Sequence, residues 1–137
     1  MAVVVDASVA MGWLLRSQSG RLSDAVEKLI ISDGGWVPAH FGLEIARTLR
    51  RFERHGELTS DAVDQAFAEL SKLHLTQDSP GSFGNIHTAV LLARKHALRV
   101  ADAAYLELAI RLDLPLATRD RKLATAAADA GANVLRG

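Results

Sequence analysis

Near its start the chain runs Ala2-Val3-Val4-Val5-Asp6, three consecutive β-branched residues closed by a carboxylate. A short unbroken apolar run of this kind is the signature of a buried strand, whose two faces must both be covered. The rest of the chain has to supply that cover, and it does so in segments of helical period. Ser8 is placed to cap a short helix reaching about Leu15, broken by Gln18-Ser19-Gly20. Leu22, Val26, Leu29 and Ile30 make one face of a helix from about Leu22 to Ile31. After a turn at Asp33-Gly34-Gly35, Trp36-Val37-Pro38 reads as a short strand closed by proline.

The pattern then repeats with longer helices. Phe41, Ile45, Leu49 and Phe52 stripe a helix over 40–55 that Gly56 ends. Thr59 or Ser60 caps the next, with Val63, Phe67, Leu70 and Leu73 turned inward. His74-Leu75-Thr76 is a strand candidate, and 78–84 is a loop rich in Ser, Gly and Pro. Helices follow at about 85–97 and 102–112, then a buried strand at Pro115-Leu116-Ala117-Thr118. Asp120 opens a helix to about Ala130, Gly131 stops it, and Asn133-Val134-Leu135 is a last strand. Strands alternating with helices or helix pairs predict an α/β fold with a mostly parallel sheet. At 137 residues, without linker, repeat or low-complexity tract, a single domain over 1–137 is expected.

Composition removes several classes of chemistry. There is no cysteine, so disulfides, thiolate catalysis and Cys-based zinc sites are excluded. The 49% hydrophobic and 23% charged residues are those of an ordinary globular protein. No stretch approaches the roughly 18 apolar residues of a membrane span, and the start lacks the basic and apolar regions of a secretory signal, so a cytoplasmic protein is expected. The 16 Lys and Arg are balanced by 16 Asp and Glu, which argues against a uniformly basic duplex binder. Charge is locally segregated all the same. Glu53 is the one acid among Arg47, Arg50, Arg51 and Arg54, and Arg119, Arg121 and Lys122 flank Asp120, although such runs are also ordinary solvated helix faces.

In open parallel sheets ligands bind beyond the carboxyl ends of the strands. Asp6 follows the first strand directly, and Asp120 stands two residues beyond Thr118. Glu44 falls near the start of the helix after the second strand, and Asp102 begins the helix before the fourth. Four carboxylates drawn together repel, and their pKa values rise unless a cation neutralises them. An all-oxygen donor set suits a hard cation, Mg²⁺ or Mn²⁺, able to activate water and to offset charge building at a phosphodiester. Plainer roles stand beside this one. Asp120 is also in place as a helix N-cap, Asp102 favours a helix N-terminus, and Glu44 fits a solvated face. A capping carboxylate still keeps an oxygen to spare, so capping and ligation are compatible. His40 is near enough in sequence to Glu44 to reach the same cleft, whereas His55, His74, His87 and His96 form no ligand pattern. There is no phosphate-binding Gly loop or serine elbow, and Asp6 lacks the second acid and lysine expected of an aspartyl phosphotransferase.

Four segments together resemble a known family: Val4-Val5-Asp6-Ala7-Ser8-Val9; Pro38 with Leu43-Glu44-Ile45-Ala46; Ala101-Asp102-Ala103-Ala104-Tyr105-Leu106; and Leu116-Ala117-Thr118-Arg119-Asp120-Arg121-Lys122-Leu123. Spread in order over essentially the whole chain, they are similar to the PIN-domain fold, and within it to the VapC-type toxins of bacterial toxin–antitoxin pairs. The resemblance implies a three-layer α/β fold with a central sheet of four to five strands flanked by helices. It implies a Mg²⁺- or Mn²⁺-dependent endoribonuclease acting on structured RNA, with Asp6, Glu44, Asp102 and Asp120 as the acidic, metal-holding positions. Ser8 and Thr118 match hydroxyl residues beside the site. A homodimer and a cognate antitoxin, its tail in an apolar groove, are implied as partners. Arg47, Arg51 and Arg119 are candidates to hold flanking RNA phosphates. Two positions depart from the family's pattern. Arg47 stands where Asn is common, either to contact RNA or to pair with Glu44 and weaken metal binding, which keeps a non-catalytic binding module as the alternative. Ala101 stands where an aromatic residue is frequent.

Overall fold

A computed structural model describes residues 1–79 and 82–136. The valine run forms β1 (Val3–Val5), and all three side chains are fully buried. It lies at the centre of a sheet ordered β3-β2-β1-β4-β5, completed by β2 (Gly35–Val37), β3 (Leu75–Gln77), β4 (Leu116–Ala117) and β5 (Val134–Leu135). Every pairing is parallel, with Val3 opposite Gly35 and Val5 opposite Ala117. The sheet is therefore five-stranded and wholly parallel, at the upper end of the expected strand count. Seven α-helices flank it among the described residues: α1 (Ala7–Leu14), α2 (Arg21–Asp33), α3 (Phe41–Arg54), α4 (Ser60–Ser71), α5 (Phe83–His96), α6 (Val100–Leu112) and α7 (Arg121–Asp129).

The strand order places β1 between two branches of the chain, β2-β3 on one side and β4-β5 on the other. A crevice opens at such a reversal beyond the strands' carboxyl ends. Helix packing keeps the strands in place beneath it. Tyr105, Leu106 and Leu108 of α6, Ile45 and Leu49 of α3, and Val26 and Ile30 of α2 join the valines in one core. The α1–α2 pair is locked closely. Gly12 lies so near Ser23 that a Cβ there would stand 2.1 Å from the Ser23 Oγ, while that hydroxyl donates to the Val9 carbonyl (2.8 Å) and Trp13 Nε1 donates to the Ser23 carbonyl (2.7 Å).

Some local expectations need correction. The N-cap of α1 is Asp6, and Ser8 lies inside the helix, its hydroxyl engaged with Asp6 and not with the first N–H groups of α1. Asp102 is the third residue of α6, whose N-cap is Arg99. Phe67 is 38% exposed, since α4 turns only Val63 and Ala66 fully inward. Thr59, not Ser60, caps α4, accepting from the Ala62 N–H at 3.1 Å. The expected loop at 78–84 is cut short because Ser82 caps α5; Pro80 and Gly81 lie outside the described residues.

Candidate active site

Asp6 is placed by β1 and is almost fully buried, 6% exposed. Its backbone N–H donates to the Ala117 carbonyl (3.0 Å), which ties the ends of β1 and β4 together. Two hydroxyls close on its side chain from different elements. Ser8 Oγ donates at 2.6 Å and Thr118 Oγ1 at 2.8 Å, both to Oδ2. Burial raises the Asp6 pKa above its ordinary value, the two hydroxyls oppose the rise, and the charges of Glu44 and Asp102 add to it. A carboxylate so placed is better off protonated or beside a cation.

Glu44, in the first turn of α3, meets α6 across the crevice. Tyr105 Oη donates to Glu44 Oε1 at 2.6 Å, and His40 Nε2 stands 3.2 Å from the same oxygen and 3.0 Å from the Ala101 carbonyl. The His40 ring also meets the Tyr105 ring edge-on, centroids 5.3 Å apart. Burial pushes the Glu44 pKa up, yet the His40 and Tyr105 hydrogen bonds and the charges of His40 and Arg99 outweigh it, so the net shift is downward. His40 is correspondingly raised, chiefly by its bond to Glu44 and against the effect of burial.

Asp102 is held from its own helix end, where Arg99 Nε donates to Oδ2 at 3.1 Å. Arg99 also feels the charges of Glu44 and Asp120, so one exposed guanidinium serves three acids. Asp120 caps α7: Oδ1 accepts from the Lys122 N–H (2.9 Å) and the Leu123 N–H (3.2 Å). Its own N–H donates to Thr118 Oγ1 at 3.0 Å, so one hydroxyl serves two of the acids.

The four predicted acids thus share one end of the sheet and one electrostatic neighbourhood, and each has the same division of labour. Among the described hydrogen bonds, one carboxylate oxygen of each is used by the protein: Asp6 Oδ2, Glu44 Oε1, Asp102 Oδ2 and Asp120 Oδ1. The other oxygen of each accepts none. Among the described residues no three His, Asp or Glu side chains are near enough to share one ion as they stand. In donor chemistry the set nonetheless fits a hard divalent cation, with four uncommitted carboxylate oxygens around a buried acid destabilised by its neighbours.

The remaining predicted residues are distributed unevenly. Ser8 and Thr118 are integral to the Asp6 carboxylate. Arg119 is exposed, donates its backbone N–H to Ser8 Oγ (3.0 Å) and sends Nη1 to the Gln18 carbonyl. Arg47 and Arg51 are exposed on α3; Arg47 lines a 220 Å³ cavity with Glu44 and Arg99 but makes no ion pair with Glu44 among the described residues. Sequence reasoning missed Arg99 and Tyr105. The spacing of Arg99 three residues before Asp102 at a helix start was a usable signal; Tyr105 had none, because its partner lies on another element.

The chain is thus a doubly wound parallel α/β protein with an acidic cluster at its topological switch point, and the comparisons give that class its family. The PIN domain family model matches residues 3–129, and the chain belongs to that family. It is 40% identical over 124 residues to Ribonuclease VapC3 of Mycobacterium tuberculosis, covering 90% of this chain and 86% of that protein. Among solved structures it is similar in fold to PAE2754 from Pyrobaculum aerophilum, with TM-score 0.72 and 21% identity over 98% of this chain and 83% of that one. The structure of VapBC2 from Rickettsia felis bound to a DNA fragment from their promoter matches with TM-score 0.71 and 8% identity, over 99% and 98% of the two chains. FitAcB from Neisseria gonorrhoeae matches at TM-score 0.67 and 17% identity, over 97% and 96%.

Proposed function

We propose that this chain is a metal-dependent endoribonuclease, the toxin of a toxin–antitoxin pair, acting as one nuclease domain over residues 1–137. The observation that carries the reading is the set of four carboxylates at the switch point, each with one oxygen held by the protein and one left over. Family membership and the 40% identity to a protein named a ribonuclease support it. Asp6, Asp102, Asp120 and Glu44 are the residues to hold Mg²⁺ or Mn²⁺. When bound, such an ion lowers the pKa of water and offsets charge on a phosphodiester. The chain's own residues prepare the place for it. Ser8 and Thr118 fix the Asp6 carboxylate in rotation, Tyr105 and His40 fix Glu44, and the α7 backbone fixes Asp120, so each carboxylate is oriented before a cation draws the set together.

Structured RNA is the proposed substrate, which puts the site of action in the cytoplasm; no helix among the described residues is long and apolar enough to cross a membrane. A cognate antitoxin and a second copy of the chain are the proposed protein partners. The similarity to VapBC2 supports the first, and an apolar groove of 620 Å³, lined by Phe83, Ile86, Val100 and Ala104, supports a protein contact in general. Purified Asp6→Asn protein with Mg²⁺ or Mn²⁺ and RNA provides the test. It should keep the fold and lose cleavage; undiminished cleavage would remove Asp6, and with it this site, from the reaction.

A further inference from the structure

Two cavities meet at the N-terminal turn of α7. One, of 650 Å³, opens beside Asp120 and Thr118 and is walled by Arg21, Arg119, Arg121 and Arg136. The other, of 490 Å³, shares Arg121 and Thr125 with the first and adds Lys95 and Lys122. Asp120 is the one acid lining the first and Asp129 the one acid lining the second. All six cations are exposed, and none is ion-paired among the described residues. In a chain of zero net charge this is a strong local segregation.

The wall is also tied to the acids. Asp6 accepts from Ser8, Ser8 accepts from the Arg119 N–H, and the Arg119 guanidinium is anchored on the Gln18 carbonyl. The first cavity therefore has a fixed position relative to the carboxylates. Both volumes fall in the range of about 300–1,000 Å³ that accepts a small organic ligand, enough for nucleotide-sized groups. Guanidinium forks match phosphate oxygens in pairs, and unpaired ones are free to do so. The α3 side is less suited. Arg50 is already paired with Glu53 at 2.6 Å, and the cavity beside Arg47 has 220 Å³.

We propose that one strand of the substrate RNA runs from the carboxylate cluster across the N-terminal turn of α7, its phosphates held by Arg21, Arg121 and Arg136 and then by Lys95 and Lys122. This rests on the ribonuclease reading and gives it a direction over α7 instead of over α3.

The test is binding of a fluorescent RNA hairpin to the full chain in EDTA, followed by anisotropy over a series of salt concentrations. Each lost phosphate contact reduces the slope of log K against log salt by about 0.7–0.9, so R21A/R121A/R136A should lower it by about 2–3 and weaken binding roughly tenfold or more at low salt. K28A/R54A/K72A removes three exposed charges elsewhere and should leave the slope near that of the unsubstituted chain. R136A alone, beyond β5 and outside any helix, should lower the slope by roughly 0.7–0.9, which keeps the test open if the triple variant folds poorly. An unchanged slope in R21A/R121A/R136A, an equal loss in K28A/R54A/K72A, or a slope carried instead by R47A/R51A overturns the proposal while leaving the nuclease reading intact. If the unsubstituted chain neither binds the hairpin nor cleaves it with Mg²⁺, the ribonuclease reading itself fails and this path with it.

Discussion

Replacing Tyr105 by Phe isolates one hydrogen bond of the site with little disturbance to the core. The ring is fully buried, and Phe keeps both its packing and its edge contact with His40. What disappears is the 2.6 Å bond from Oη to Glu44 Oε1. A hydrogen bond to a charged group contributes about 1.5–3 kcal/mol. The Glu44 side chain is 23% exposed and retains His40, so water and the imidazole recover part of the loss, and about 1–2 kcal/mol is the expected cost. For a chain of this size that corresponds to roughly 3–8 °C in Tm. The pH dependence distinguishes this bond from packing. Glu44 is held below its ordinary value, so the stabilisation from its charge is present above the unfolded-state pKa and is lost as the pH falls through the folded one. Tyr105 is shifted upward, first by burial and then by Glu44, and remains a donor throughout. Urea unfolding of both proteins in EDTA should show the full gap at neutral pH and a gap that shrinks as the pH is lowered through the carboxylate range. A gap that does not change with pH would mean that the hydroxyl acts through packing alone, and no gap at all would mean that Tyr105 does not secure Glu44.

Further outcomes follow from the same contacts. Mg²⁺ or Mn²⁺ at about 100 times its Kd should stabilise the chain by about 2.7 kcal/mol, and the gain should shrink on acidification as protons compete for the raised Asp6 carboxyl. Without metal, that raised pKa makes ionised Asp6 a cost that is present above the folded value and relieved as the pH falls; Asp6→Asn should therefore gain stability in EDTA at neutral pH and lose the metal response, and a retained response in a thermal melt would exclude Asp6 as a ligand. Arg111→Ala strips Glu107, only 8% exposed, of its two bonds to the guanidinium (2.8 and 3.1 Å) and should cost about 3 kcal/mol in urea unfolding, with E107L/R111M recovering most of it; a cost below about 1 kcal/mol would mean that water already solvates Glu107. Gly12→Ala drives a methyl into Ser23 and should cost about 1–3 kcal/mol, mostly restored by Ser23→Gly in the same chain; additive losses in that double-variant cycle would deny the clash.

The fold was legible wherever burial is written as periodicity. Val3-Val4-Val5 could only be a strand covered on both sides, and the α2 and α3 stripes marked the faces that cover it. The edge strand β3 was recoverable as the candidate His74-Leu75-Thr76, one residue early, because only Leu75 in it is apolar and little in the pattern fixes its ends. Helix caps at Thr59 and Asp120 were legible, but side-chain hydrogen bonding inside the site was not. Ser8 has the local pattern of a cap and serves a carboxylate two residues back, where it is joined by Thr118, which is 112 residues from Asp6 in sequence. Phe67 fits the inward stripe of α4 by spacing, but helical spacing cannot say how far a neighbouring element reaches.

The site was legible for a different reason. Acids at strand ends can be placed from sequence because the backbone fixes where a strand stops, whereas two of the groups that hold them, Thr118 on Asp6 and Tyr105 on Glu44, come from distant parts of the chain. Asp120 shows why a capping role and a ligand role were hard to separate by position: Oδ1 caps α7, and among the described residues Oδ2 accepts no hydrogen bond. Capping is then a means of positioning, not a competing explanation. The same logic covers Glu44. Arg47, one turn along α3, was one candidate partner by spacing, yet Tyr105 from α6 and His40 from the α3 N-cap hold Oε1 and Arg47 stays at the rim. Tyr105 and His40 both engage Oε1, and with the charges of His40 and Arg99 they keep Glu44 ionised, so the carboxylate holds the charge a divalent cation needs while Oε2 accepts no hydrogen bond among the described residues.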